Sequence, residues 1–217
     1  MLGKKTDGLI LDVDGTLWDS TGIVARAWTQ AVRDSGFPDF EVTADGLKRL
    51  FGKTMEVIAE EMLPWLAKEK RESIMERCCE YEHRALEEDE CRICYPGVTD
   101  TIRQLSKRLP VFIVSNCQSG YIELFLEKTG LGEYVTDIEC YGNTKCGKGE
   151  NIRMVAERNH LQNPVYVGDT KGDLSAAKEA GVSFIYVSYG FGDVENAETE
   201  ISCFSDLAGL AEGGENR

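Results

Sequence analysis

The sequence predicts an α/β protein, a doubly wound parallel sheet with a small all-helical segment inserted after the first strand. Three observations carry this reading. Short apolar runs bounded by turn residues recur along the chain. From residue 98 onward, apolar residues between those runs fall at helical spacing. The stretch from Asp19 to Asp89 carries helical patterns and no strand signal.

The elements follow in order. Residues 8–13, Gly-Leu-Ile-Leu-Asp-Val, form the first buried strand. Ile23, Val24, Ala27, Trp28, Ala31 and Val32 then share one face of a helix that stops near Gly36 and Pro38. Thr43 is placed to cap a helix carrying Leu47, Leu50 and Phe51. Thr54 is placed to cap another, with Ile58 and Met62, that stops at Pro64. A charged helix with Ile74, Cys78 and Tyr81 comes next. Beyond it, Val98, Ile102, Leu105 and Leu109 keep helical spacing and lead into a strand at Val111–Ser115. Ile122, Phe125 and Leu126 mark a helix, and Val135–Cys140 a weaker strand. Ile152, Val155 and Ala156 precede the strand Pro164–Val167, and Leu174 with Ala177 precede the strand Ser183–Ser188. A last weak run spans Glu200–Phe204, and the Gly/Glu-rich tail after Leu210 is expected to fray. Strands alternating with helices argue for parallel pairing. The expected division is an α/β core of residues 1–18 and 93–217 around a helical unit of residues 19–92.

Composition narrows the function classes. Hydrophobic residues at 42% and charged residues at 29% are globular values, which sets disorder aside. A net charge of -14 repels phosphate backbones and disfavours nucleic-acid binding. An anionic substrate would therefore need a cation or a lysine close by. No apolar run approaches the ~20 residues that span a bilayer, and Met1 to Asp7 has no apolar signal core. A cytoplasmic location is expected, so the eight cysteines read as thiols.

The chemistry-bearing residues gather at strand ends. Asp12 and Asp14 flank Val13 at the end of the first strand, followed by Gly15 and Thr16. Parallel sheets bind ligands beyond their carboxyl ends. Two carboxylates that close stay ionised together only beside a cation, and oxygen-rich sets suit Mg²⁺. Val111–Val114 runs into Ser115 and Asn116. Val165–Val167 runs into Gly168 and Asp169, with Asp173 one turn on and Lys148 before a helix. Such a set can hold Mg²⁺, grip phosphate oxygens and supply a carboxylate nucleophile.

These residues resemble a known family. Leu11-Asp12-Val13-Asp14-Gly15-Thr16-Leu17 resembles the first motif of the haloacid dehalogenase-like superfamily. Ser115, Lys148 and Gly168-Asp169-x-x-x-Asp173 resemble its second, third and fourth. Val167 to Gly192 and Tyr95-Pro96-Gly97-Val98 are similar to its phosphoglycolate-phosphatase-like branch. The resemblance implies a Rossmann-like core with a helical cap. It implies that Asp12 attacks phosphorus and that Asp14 serves as general acid, then base. Ser115, Asn116 and Lys148 would bind the substrate phosphoryl group. Mg²⁺ would rest on Asp12, Asp169 and Asp14, the last through its backbone carbonyl. Asp173 and Thr16 would orient that shell. An aspartate at position 14 argues against dehalogenation, because an alkoxide leaving group needs its proton. Gly149 stands where many relatives have proline, which leaves Lys145 open as the phosphate lysine, although Lys148 is favoured because it immediately precedes the helix.

The expected function is Mg²⁺-dependent hydrolysis of a small phosphate monoester, with 2-phosphoglycolate the first guess. The alternatives are a sugar-phosphate mutase and a non-catalytic binding protein. The helical cap would act as a lid with hinges near Asp19–Ser20 and Ile93–Pro96. Arg49, Lys53 and Trp28 are its candidate contacts to the leaving group. Elsewhere plainer readings prevail. Cys91-x-x-Cys94 lacks a second pair with metal-binding spacing, so thiols are the default. Cys117 follows the second motif closely, which leaves it open as a site-lining, oxidation-sensitive thiol. His83, His160 and Glu87–Glu90 read as solvated, and Trp18, Trp28 and Trp65 as packing residues. Oligomeric state is not legible.

Overall fold

The computed structural model describes residues 6–90 and 92–212. In chain order it contains β1 (Gly8–Leu11), α1 (Thr21–Asp34), α2 (Ala44–Lys48), α3 (Met55–Met62) and α4 (Lys68–Glu88). Next come α5 (Val98–Leu105), β2 (Val111–Ser115), α6 (Tyr121–Thr129), a 3₁₀ turn (Gly132–Tyr134), β3 (Asp137–Cys140) and α7 (Tyr141–Thr144). The chain ends with α8 (Lys148–Arg158), β4 (Pro164–Gly168), α9 (Lys171–Ala180), β5 (Ser183–Val187), β6 (Glu200–Ile201) and α10 (Asp206–Glu212).

The six strands form one parallel sheet in the order β3-β2-β1-β4-β5-β6. Side chains alternate between faces along a strand, and the apolar core divides accordingly. Leu9, Leu11, Ile113 and Val167 bury on one face, with α5, α6 and the α1–α4 segment. Ile10, Phe112, Val114 and Tyr166 bury on the other, against Ile152 and Val155 of α8 and Ala176 and Ala177 of α9. Burial on both faces explains why the strands are continuous apolar runs. The order reverses at β1, the switch point where such sheets bind ligands.

Helices α1–α4 follow β1 with no strand among their described residues. The chain enters and leaves this segment through adjacent crossings. Asp19 N–H donates to the Ile93 carbonyl at 2.9 Å, and Tyr95 N–H to the Leu17 carbonyl at 3.0 Å. No helix among the described residues is long and apolar enough to cross a membrane.

Several sequence readings need correction. The first strand ends at Leu11 rather than residue 13, because Leu17 and Trp18 fold back onto the Val13 carbonyl and turn the chain. The helix capped by Thr43 ends at Lys48; Leu50 and Phe51 lie in the turn beyond it. The last strand is only Glu200–Ile201. Trp18 and Trp28 are buried packing residues, whereas Trp65 is 59% exposed, its ring tilted against that of Phe40 at 5.9 Å. Cys91, and the tail from residue 213, lie outside the described residues.

Candidate active site

The carboxyl edge of the sheet brings together Asp12 after β1, Ser115 at the end of β2, Asp169 after β4 and Lys148 at the first turn of α8. All four are buried. Asp12, Asp169 and Asp173 each offer an oxygen within 4.8 Å of the others.

Lys148 organises this cluster. Its Nζ lies 2.6 Å from Asp173 Oδ1 and 3.0 Å from Asp12 Oδ1. The Asp12 contact is an ion pair without an aligned hydrogen bond, and Asp12 Oδ1 is buried with no hydrogen-bond donor. Asp173 Oδ2 accepts from Asp169 N–H, Thr170 N–H and the Thr170 hydroxyl, closing a capping box at the start of α9. The pairing seen around Asp173 thus fits a residue that orients its neighbours. Thr16 contributes a long hydrogen bond of 3.5 Å to Asp169 Oδ1.

Asp169 is held from a direction that the sequence reading missed. Phe191 N–H donates to its Oδ2 at 2.7 Å. Gly15, at φ 81°, and Gly190 both stand so close that a Cβ would collide with the Asp169 carboxyl. Bare backbone is what lets the loops from opposite ends of the chain close on this carboxylate.

The Asp14 carboxyl is not part of the cluster. Its Oδ1 accepts from Trp18 Nε1 at 3.0 Å, Ser20 Oγ at 2.8 Å and Tyr121 OH at 2.7 Å. Ser20 and Trp18 lie within six residues of Asp14, so their role was findable in the first motif. Tyr121 gave no signal. Asn116 Nδ2 donates to the Gly52 carbonyl at 2.8 Å and so ties the helical segment to the sheet edge. Asn116 also presents a buried, unpartnered Oδ1.

Electrostatics mark the same residues. Burial pushes the Asp12 carboxyl up to about 7, with Lys148 pulling against it. Burial pushes Asp14 up to about 6, opposed by the donors Tyr121, Ser20 and Trp18. Asp169 is raised well above the carboxylate range by burial and by Asp173 and Asp12. For Asp173, burial is outweighed by Lys148 and Thr170, and its pKa falls. Two buried carboxyls that resist ionisation, Asp12 Oδ1 being met by the Lys148 ammonium alone, are a donor set that would suit a hard dication. Asp12, Asp169 and Asp173 form the acidic cluster that could hold a metal ion.

The remaining candidates separate cleanly. Lys145 is exposed, with its ammonium over the Tyr141 ring at 5.2 Å. Cys117 lines the cavity beside the site, but burial raises its thiol well above the usual range, which disfavours a reactive thiolate. Trp28 and Lys53 line that cavity, and Arg49 is exposed outside it. His83 and His160 are exposed.

A doubly wound parallel sheet with a buried aspartate cluster and a lysine at its switch point fits a class of α/β hydrolases. The chain belongs to the haloacid dehalogenase-like hydrolase family, whose model matches residues 9–187. Among curated relatives, it is 25% identical over 217 residues to a phosphoglycolate phosphatase of Yersinia pseudotuberculosis, covering 94% of this chain and 92% of that one. A phosphoglycolate phosphatase of Agrobacterium fabrum is 28% identical over 200 residues, covering 88% and 84%. Among solved structures, a predicted phosphoglycolate phosphatase from Haemophilus somnus superposes with TM-score 0.83 at 18% identity, covering 95% and 98%. At that identity the structural likeness speaks for the fold alone.

Proposed function

We propose that the protein is a Mg²⁺-dependent phosphatase that hydrolyses a small phosphate monoester through an aspartyl phosphate on Asp12. The observation that carries this reading is the Asp12–Lys148–Asp173 arrangement beside Asp169: a buried nucleophile, a buried cation and a dication-ready carboxyl pair.

Bound Mg²⁺ would neutralise phosphoryl charge and keep Asp12 and Asp169 ionised. Lys148 and the Ser115 hydroxyl grip phosphoryl oxygens, and Lys148 offsets charge as it develops. Asp12, fixed by its buried surroundings, attacks phosphorus in line. Asp14 gives its proton to the departing alkoxide, then takes one from the water that attacks the aspartyl phosphate. A carboxyl raised to about 6 is poised for both tasks near neutral pH.

The helical segment of residues 19–92 serves as the lid, hinged where Asp19 and Ile93 cross. The relatives' names support 2-phosphoglycolate as a first substrate to try. The expected location is the cytoplasm, and the expected partner a phosphorylated metabolite. A mutase reading has only fold-level likeness behind it, to a β-phosphoglucomutase from Clostridium difficile at TM-score 0.78 and 18% identity, covering 96% and 97%.

The test is phosphate release from a panel of esters with Mg²⁺ and with chelator. Activity should vanish with chelator and in Asp12→Asn. Full turnover in that variant refutes the mechanism, and isomer interconversion without phosphate release favours a mutase.

A further inference from the structure

Between the helical segment and the sheet edge lies a cavity of about 30 Å³ bordered by Asp14 and Ser115. That is room for roughly two water-sized groups, and its position beyond Asp14 is where a leaving group would stand. Its polar wall has an unusual sign. Glu82 of α4 is 3% exposed. Its Oε2 accepts from Trp28 Nε1 at 2.6 Å and its Oε1 from Gln118 Nε2 at 2.8 Å. Asn116 adds the buried, unpartnered Oδ1, its orientation fixed by the Gly52 carbonyl. Among the described residues, Lys53 is the one cationic side chain lining the cavity, and its ammonium is engaged with Glu61 at 2.7 and 2.8 Å.

Taking the phosphatase reading of the site as given, we propose that Glu82 and Asn116 form the leaving-group subsite and select an uncharged, hydroxyl-bearing alcohol over one bearing a carboxylate. Asn116 Oδ1 needs a donor, which a hydroxyl supplies and a carboxylate cannot. Each Glu82 oxygen keeps acceptor capacity beyond its bond to Trp28 or Gln118. A carboxylate brought here would be buried beside a second acid, with the lining ammonium of Lys53 already held by Glu61, at a desolvation cost. Burial pushes Glu82 up to about 8, so its charge opposes a carboxylate fully only above that value; below it a neutral Glu82 offers a hydrogen bond but no positive charge, whereas a hydroxyl can donate to the ionised form and accept from the neutral one. This departs from the 2-phosphoglycolate expectation, which needs a cation at this place.

The discriminating pair is 2-hydroxyethyl phosphate against 2-phosphoglycolate, nearly isosteric esters that differ by a hydroxymethyl and a carboxylate. With Mg²⁺, wild type should show at least tenfold higher kcat/KM for the hydroxyethyl ester. Measured at about pH 9, above the value of about 8 to which burial raises Glu82, Glu82→Gln should narrow that ratio at least tenfold; its fold is preserved because the Gln118 amide can turn to offer its carbonyl, and a thermal melt checks this. Calorimetric titration of the two esters into Asp12→Asn gives the ranking without turnover. Tighter binding of 2-phosphoglycolate there, or a folded Glu82→Gln that changes both esters equally, overturns the subsite. Binding in the expected order with no turnover of any ester by wild type leaves the subsite standing and refutes the phosphatase reading instead.

Discussion

The Tyr121 hydroxyl donates to Asp14 Oδ1 at 2.7 Å across 107 residues of sequence, and it also reaches Ser20 Oγ at 3.0 Å. With Trp18 and Ser20 it concentrates three donors on one oxygen of the residue proposed to move protons. Such donors favour the ionised carboxyl and work against the burial that raises Asp14 to about 6.

Removing one of them has a definite sign. Tyr121→Phe takes a donor from the ionised form, so the Asp14 pKa rises and the base needed for hydrolysis of the intermediate appears only at higher pH. A hydrogen bond to a charged group contributes about 1.5–3 kcal/mol, so the acid limb of kcat should move up by roughly one pH unit or more. A superimposable pH profile would show that Tyr121 does not tune Asp14.

Lys148 lies buried between two carboxyls, and Lys145 is exposed. Lys148→Met should cost on the order of 3–5 kcal/mol of stability through the uncompensated buried charge it leaves. It should also abolish turnover. Lys145→Met should change neither beyond about twofold in rate. Denaturant melts and steady-state kinetics on both variants decide between the lysines.

Mg²⁺ should raise the melting temperature, since a ligand at 100 times its Kd stabilises by about 2.7 kcal/mol. Chelator should reverse the shift. Asp169→Asn should abolish it, and Gly190→Ala should weaken it, because a Cβ at 190 would collide with Asp169 and the Gly15 carbonyl. An unchanged Mg²⁺ shift in Asp169→Asn would remove Asp169 from the ion-binding set.

Glu82 makes stability depend on pH. Its carboxyl has an unfolded-state value of 4.5 and is raised to about 8 in the fold, first by burial. Between those values the folded chain holds a proton that the unfolded chain has lost. Its stabilising contribution is therefore complete below about 4.5 and declines as pH rises toward about 8. The slope for one group is at most about 1.4 kcal/mol per pH unit. The melting temperature of wild type relative to Glu82→Gln should fall across this window; a constant difference would mean that Glu82 ionises freely in the fold.

Much of the site was legible because its residues sit at strand ends, where apolar runs give way to Asp12, Ser115 and Gly168-Asp169. Period and burial set the strands on both sides of the switch point, and the sheet topology did the rest. The misread boundaries, at Leu11 and Lys48, are turns closed by backbone hydrogen bonds that leave little trace in side-chain pattern.

The sequence by itself determined the α/β class, the helical segment after the first strand and the order of the acidic motifs, because hydrophobic periodicity and strand-end chemistry are local properties. Tertiary structure decided what depends on approach through space. It set Lys148 between Asp12 and Asp173, aimed Tyr121 at Asp14 and turned the Phe191 N–H onto Asp169. It also set Glu82, 68 residues from Asp14 along the chain, into the same cavity. Charge and hydrogen-bond direction act over a few ångströms, and only the folded chain fixes which groups come that near.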